Sequence, residues 1–173
     1  SNGGLTFTKP ANQDVGSTVL FDSTNGLTKV YAEIFMGTTP VVGDSLVGVA
    51  PPDHPVAIDI GSTATSWGWY GHGGGQLWSN SVLTADVVPA YVTLEWLGVA
   101  VNRTAKTVQF RNITAAGAWS AAVSLAAAGA SDFCLGFSTF DVNGYATFNF
   151  NGTFLGTPPA AGYTRWGGGP PLS

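Results

Sequence analysis

Short runs rich in Val, Ile, Phe, Tyr and Thr recur along this chain between clusters of Gly, Pro, Asn and Asp, while helical apolar spacing is nearly absent. That profile predicts an all-β sandwich or barrel. The best strand candidates are residues 29–36, 56–60, 92–101, 107–112, 132–139 and 145–150. Alternation is clearest in Thr147, Phe148, Asn149 and Phe150, and it puts Phe148 and Phe150 on one face.

Turn chemistry sits where these strands end. Asn25-Gly26, Asp53 after two prolines, Asn143-Gly144 and Asn151-Gly152 all favour tight reversals. Residues 102–107, NRTAKT, read as the connection of a hairpin joining VTLEWLGVAV to VQFRN, and connections this short make antiparallel meanders. Residues 115–130 hold nine alanines, which favours helix, but Gly117 and Gly129 interrupt the run and its apolar spacing is irregular. It reads as mostly loop and strand.

Composition narrows the function classes. At 173 residues the expectation is one domain, 1–173, with its core over about 30–166 and Gly-rich tails, SNGG and WGGGPPLS, held by a neighbouring subunit or a crystal contact. Only 9% of residues are charged and the net charge is −4, with the six basic residues scattered. A phosphate backbone needs several Lys and Arg on one face, so nucleic acid is not an expected partner. No apolar run is long enough to cross a bilayer, and the opening SNGGLTFTKP lacks the basic and apolar regions of a secretory signal. Cys134 is the only cysteine and stands in an apolar strand, DFCLGF, as a small buried side chain. The N-x-S/T triplets at Asn102, Asn112 and Asn151 are set aside as chance.

Catalytic constellations are not expected. Glu33 and Glu95 are the only glutamates and would suit a glycosidase pair, yet both stand in apolar strands and read as structural carboxylates. His54 and His72 are the only histidines. Asp53, His54 and Asp59 make a conceivable metal trio, and Asp141 a further oxygen ligand, but no ligand spacing supports zinc or an EF-hand. No serine lies in a G-x-S-x-G elbow, and GHGGGQ lacks the Gly-Lys-Ser/Thr of a phosphate loop. The chain is expected to be a non-enzyme with no metal or cofactor.

Four segments in order carry a family likeness. KVYAEIFMG resembles the "YxEv" strand of SPRY domains, and SWGWYGHGGGQLW their "SwGy" segment with its Gly-rich continuation. VTLEWLGVAVNRTAKTVQFRN resembles their "vGvalD…tv.F..N" hairpin, with Ala100, Val101 and Asn102 where the family has "aLD". LGFSTFDVNGYATFNFNGTFLGTPPAAGYTRW resembles their closing "nFG" strand and "ppaGy" tail. The resemblance covers roughly residues 30–166. It implies a SPRY-like, concanavalin-like antiparallel β-sandwich of the jelly-roll kind, a structural role for Glu33, and recognition through loops at one end or edge.

Residues 66–78 hold four aromatic residues and five glycines. Alternation places Trp67 and Trp69 on one face as sandwich core. Tyr70, His72, Gly73, Gly74, Gln76 and Trp78 are the expected partner-binding residues, the rings for stacking and His72 and Gln76 for hydrogen bonds. The low-charge, Ala/Gly/Thr-rich style is similar to SPRY-like domains of bacteriophage structural proteins. The leading functional expectation is therefore a structural or adhesive protein of a virus particle, such as a decoration or tail-fibre protein. It would be located in the virion, assembled with other subunits, and present loops to a cell-surface glycan or protein receptor. The alternative is a carbohydrate- or peptide-binding module of an extracellular protein.

Overall fold

The computed structural model describes residues 5–8, 17–23, 27–37, 45–71, 75–85, 87–129, 132–139, 144–150 and 153–166, with the backbone alone for residues 5 and 17–23. Among them the strands run in chain order β1 (Leu5–Thr8), β2 (Ser17–Ser23), β3 (Lys29–Met36), β4 (Ser45–Ala50), β5 (Trp67–Tyr70), β6 (Gln76–Ser79) and β7 (Val82–Ala85). There follow β8 (Glu95–Asn102), β9 (Thr107–Asn112), β10 (Val123–Ser124), β11 (Cys134–Thr139), β12 (Tyr145–Asn149) and β13 (Thr164–Arg165).

They form two antiparallel sheets. One, sheet A, has the order β1-β12-β3-β8-β9-β10, and β13 pairs in parallel with β3 beyond the end of β12. The other, sheet B, has the order β2-β11-β4-β5-β6-β7. Alternate residues of β3 (Val30, Ala32, Ile34, Met36) face alternate residues of β4 and β5 (Val47, Val49, Trp67, Trp69) across one apolar core. Trp69 is fully buried, its ring 5.2 Å from Phe110 and 5.0 Å from Tyr91, and its indole N–H donates to the Pro89 carbonyl at 2.7 Å. Phe148 and Phe150 share a face as alternation requires, and their rings stack 5.9 Å apart in that core.

Both sheets also carry covers on their outer faces. On sheet B, Gly136, Gly48 and Gly68 lie side by side in register. Without side chains there, residues 51–66 pass close over the sheet: a Cβ on Gly68 would stand 2.6 Å from the Ile60 carbonyl oxygen. Ile60 is fully buried in this layer, and its N–H donates to Ser138 Oγ at 3.0 Å. On sheet A, Tyr31 packs edge-on against Trp119 and Phe154, with Tyr163 in the same cluster.

The strands at 29–36 and 107–112 fall as the pattern predicts, and those at 132–139 and 145–150 are shorter by one or two residues. Residues 92–101 start pairing only at Glu95, because Leu94 takes a left-handed backbone (φ 65°) and turns its N–H to the Met36 carbonyl. Residues 56–60 are not a strand. Successive turns close through Pro51, Pro55 and Asp59, leaving Val56 and Ile58 exposed while Ile60 alone enters the cover. The alanine-rich 115–130 segment yields only β10 and a three-residue 3-10 turn, Ala126–Ala128, ended by Gly129 at φ 64°. β4 gives no alternation because the cover buries its second face too. Asn25-Gly26, Asn143, Asn151-Gly152, and the tails at 1–4 and 167–173 lie outside the described residues.

Candidate interaction surface

The aromatic segment divides by the two-residue period. Trp67 and Trp69 point into the core, so Gly68 and Tyr70 face outward from sheet B. Register then places Tyr70 beside Gln76 and Ala85, and Gly68 beside Trp78 and Leu83, all on the outer face. Tyr70, Gln76 and Trp78 are half-buried, and Leu83 is 51% exposed. The structure thus brings three of the six expected partner-binding residues onto one surface. His72, Gly73 and Gly74 lie outside the described residues.

The flanking glycines have a packing reason. A Cβ on Gly71 would strike the backbone and ring of Tyr91, and one on Gly75, at φ 92°, would strike the backbone of Val88 and Pro89. Residues 87–91 are therefore wedged under this segment. The Tyr91 hydroxyl lies 2.8 Å from the Ser45 carbonyl and 3.0 Å from the Trp69 carbonyl, which share its one proton. Burial pushes that phenol well above the ordinary tyrosine range.

Two surface features escaped the sequence reading. β7 is exposed along its whole length, Val82 at 59% and Leu83 at 51%, and its only sequence signal was four uncharged residues after a polar turn. A cleft of about 480 Å³ opens between Val87 to Pro89 and Ala118 to Val123. Nothing local marks it, since two distant loops form its walls.

The remaining candidates are structural. Glu33, fully buried on the outer side of sheet A, accepts hydrogen bonds from the Tyr31 hydroxyl (2.8 Å) and from the N–H groups of Leu155 (2.9 Å) and Gly156 (2.7 Å). Burial, and then the adjoining Glu33 charge, raise the Tyr31 phenol far above its usual range. Glu95 accepts from the Val92 N–H and the Asn112 side-chain amide at 2.7 and 2.8 Å. Glu33 pairs across the sheet with Gly98 and Glu95 with Met36, so the two carboxylates form no common site. His54 is not on an exposed turn as its prolines suggest: it is 5% exposed, with Nε2 donating to the Ile58 carbonyl at 3.0 Å. Cys134 is buried. Among the described residues no group of three or more His, Cys, Asp or Glu is placed to hold a metal ion; Asp141 and His72 lie outside them. No helix among them is long and apolar enough to cross a membrane.

No family model matches the sequence, and no curated protein matches it. Solved structures do. The SPRY domain of human HERC1 superposes with a TM-score of 0.64 at 10% identity, covering 83% of this chain and 87% of that one. A further human SPRY domain gives 0.67 at 11% identity, over 86% of this chain and 93% of that one. The chain has a SPRY-like fold. The TRIM65 PSpry domain matches less closely, with a TM-score of 0.55 at 17% identity, over 75% of this chain and 65% of that one. At these identities the likeness is one of fold alone.

The expectation of a phage structural protein is corrected by these matches. The HERC1 SPRY domain and the further SPRY domain that fit the sandwich are human domains and not virion proteins. The decoration, tail-fibre and receptor-binding reading is withdrawn with it, and so are the virion location and its extracellular alternative. Low charge and abundant Ala, Gly and Thr describe how a surface is made polar without ions. They carry no information about the assembly in which that surface works.

Proposed function

We propose that this chain is a protein-interaction module whose partner docks on the outer face of sheet B, over Tyr70, Gln76, Trp78 and Leu83. The carrying observation is the register that sets these four side chains side by side, half-buried or exposed. Other parts of the outer faces are covered: Ile60 and its neighbours lie over the glycine lane of sheet B, and Trp119, Phe154 and Tyr163 cluster over Tyr31 on sheet A. Trp and Tyr, aromatic rings with polar ends, are the side chains enriched among interface hot spots.

The test is selection of peptides from a random display library on the full chain, followed by titration against Trp78→Ala and Tyr70→Ala. Loss of at least about tenfold in affinity in each is expected for anchor residues of an interface. Undiminished binding to both variants would remove this surface from consideration.

A further inference from the structure

Among the described residues β7 is the free edge of sheet B, and its backbone is set up to receive another strand. The β6–β7 connection is a two-residue turn in which Asn80 and Ser81 both take positive φ (53° and 59°), and Ser79 pairs with Val82. In such a hairpin the residues closing the turn exchange both backbone hydrogen bonds, and every second pair after them does the same. Val82 and Thr84 therefore spend their N–H and C=O groups on β6. Leu83 and Ala85 point theirs away from the sheet, and among the described residues nothing bonds to them. No lysine, proline or bulge guards this edge: it reads Val82, Leu83, Thr84, Ala85, exposed throughout.

We infer that the partner engages this surface as an extended peptide strand added to β7. Its backbone bonds to Leu83 and Ala85, and its alternate side chains lie over Leu83 and Trp78. This inference rests on the interaction surface proposed above and specifies how it is used. The chemistry of the strand follows from the edge. Val82, Leu83, Thr84, Ala85, Trp78, Tyr70 and Gln76 carry no charge, so the fitting segment is uncharged, free of proline and built of apolar or β-branched residues at alternate positions. A second copy of this chain fits the edge less well. The four-residue edge is only about 13 Å long, so two copies paired through it alone would bury far less than the roughly 1,200–2,000 Å² of a stable interface. Each copy would also bring a net charge of −4.

The experiment uses one short synthetic peptide from the library selection, with a series of analogues each methylated at a single backbone nitrogen, titrated against the unaltered full chain. Strand addition predicts affinity losses of about tenfold or more at alternate positions and little change between them, the effect of deleting one backbone hydrogen bond at a time. It also predicts slowed amide exchange at Leu83 and Ala85 in the complex. Ala85→Pro removes an outward N–H that β6 does not use and is expected to weaken binding by a similar factor. If that variant fails to fold, the methylated series on the unaltered chain decides alone. Binding that is lost in Trp78→Ala yet indifferent to backbone methylation would overturn strand addition while leaving the surface intact. Losses at alternate positions with Trp78→Ala unaffected would keep the edge and discard the aromatic patch. A dimer in sedimentation that Ala85→Pro dissolves would overturn the peptide in favour of a second copy.

Discussion

Leu94 holds a left-handed backbone at φ 65° with 54% of its surface exposed, so its side chain contributes little packing to offset the conformation it is forced into. Relief of that strain makes Leu94→Gly stabilising by about 0.5–1 kcal/mol, read as a higher urea midpoint with unchanged slope. A lower midpoint would mean that the Leu side chain matters to the fold in a way its exposure hides. The residue scale is also where the sequence was most legible for the core. Trp67 and Trp69 point inward, and Phe148 and Phe150 share one face, as a period that depends only on backbone geometry requires. His54 and Glu33 were harder. Whether a polar side chain next to prolines or in an apolar strand is exposed depends on which distant backbone reaches it, here Ile58 and the Leu155 and Gly156 amides.

At the scale of elements, the covers decide which sequence patterns remain visible. β9 alternates cleanly because its outer positions stay partly exposed, whereas β4 is buried on both faces and reads as an unbroken apolar run with a glycine in it. Gly48 and Gly68 are what allow the Ile60 backbone to cross there. Gly68→Ala is accordingly expected to destabilise the fold by about 2–3 kcal/mol, because the methyl group meets backbone that has no rotamer to yield. Thermal or denaturant unfolding checks this, and a loss below half a kcal/mol, of the order of an ordinary surface change, would show that the cover can shift. The 56–60 segment misled for the same reason. Its Val, Ala and Ile residues have strand composition, but the prolines before them and the carbonyls of Pro51 and Pro55 impose turns.

Across the whole molecule the layers are fastened by buried tyrosines on both sides. Tyr91 ties the 87–91 segment to β4 and β5, and Tyr31 joins Glu33 to the aromatic cover of sheet A. Burial raises both phenols above their unfolded value of 10.0. A raised folded value means that the stabilisation is fully present below pH 10 and is lost as pH climbs above it. Alkaline unfolding above pH 10 is therefore expected to release tyrosinate absorbance cooperatively. Tyr31→Phe should reduce the amplitude of that step, and a gradual titration of all five tyrosines in the folded chain would contradict it. The sequence by itself determined the β class and the positions of β3, β8, β9, β11 and β12, because alternation and turn residues are local consequences of backbone geometry. Its four ordered motifs carried the likeness to SPRY domains that implied the sandwich, while β4, buried on both faces, left no alternation to read. Tertiary structure alone decided the covers, the burial of His54, the cleft and the exposed edge of β7. Each of these depends on which remote segment lies against a strand, and strand pairing across tens of residues leaves no periodic mark in the chain.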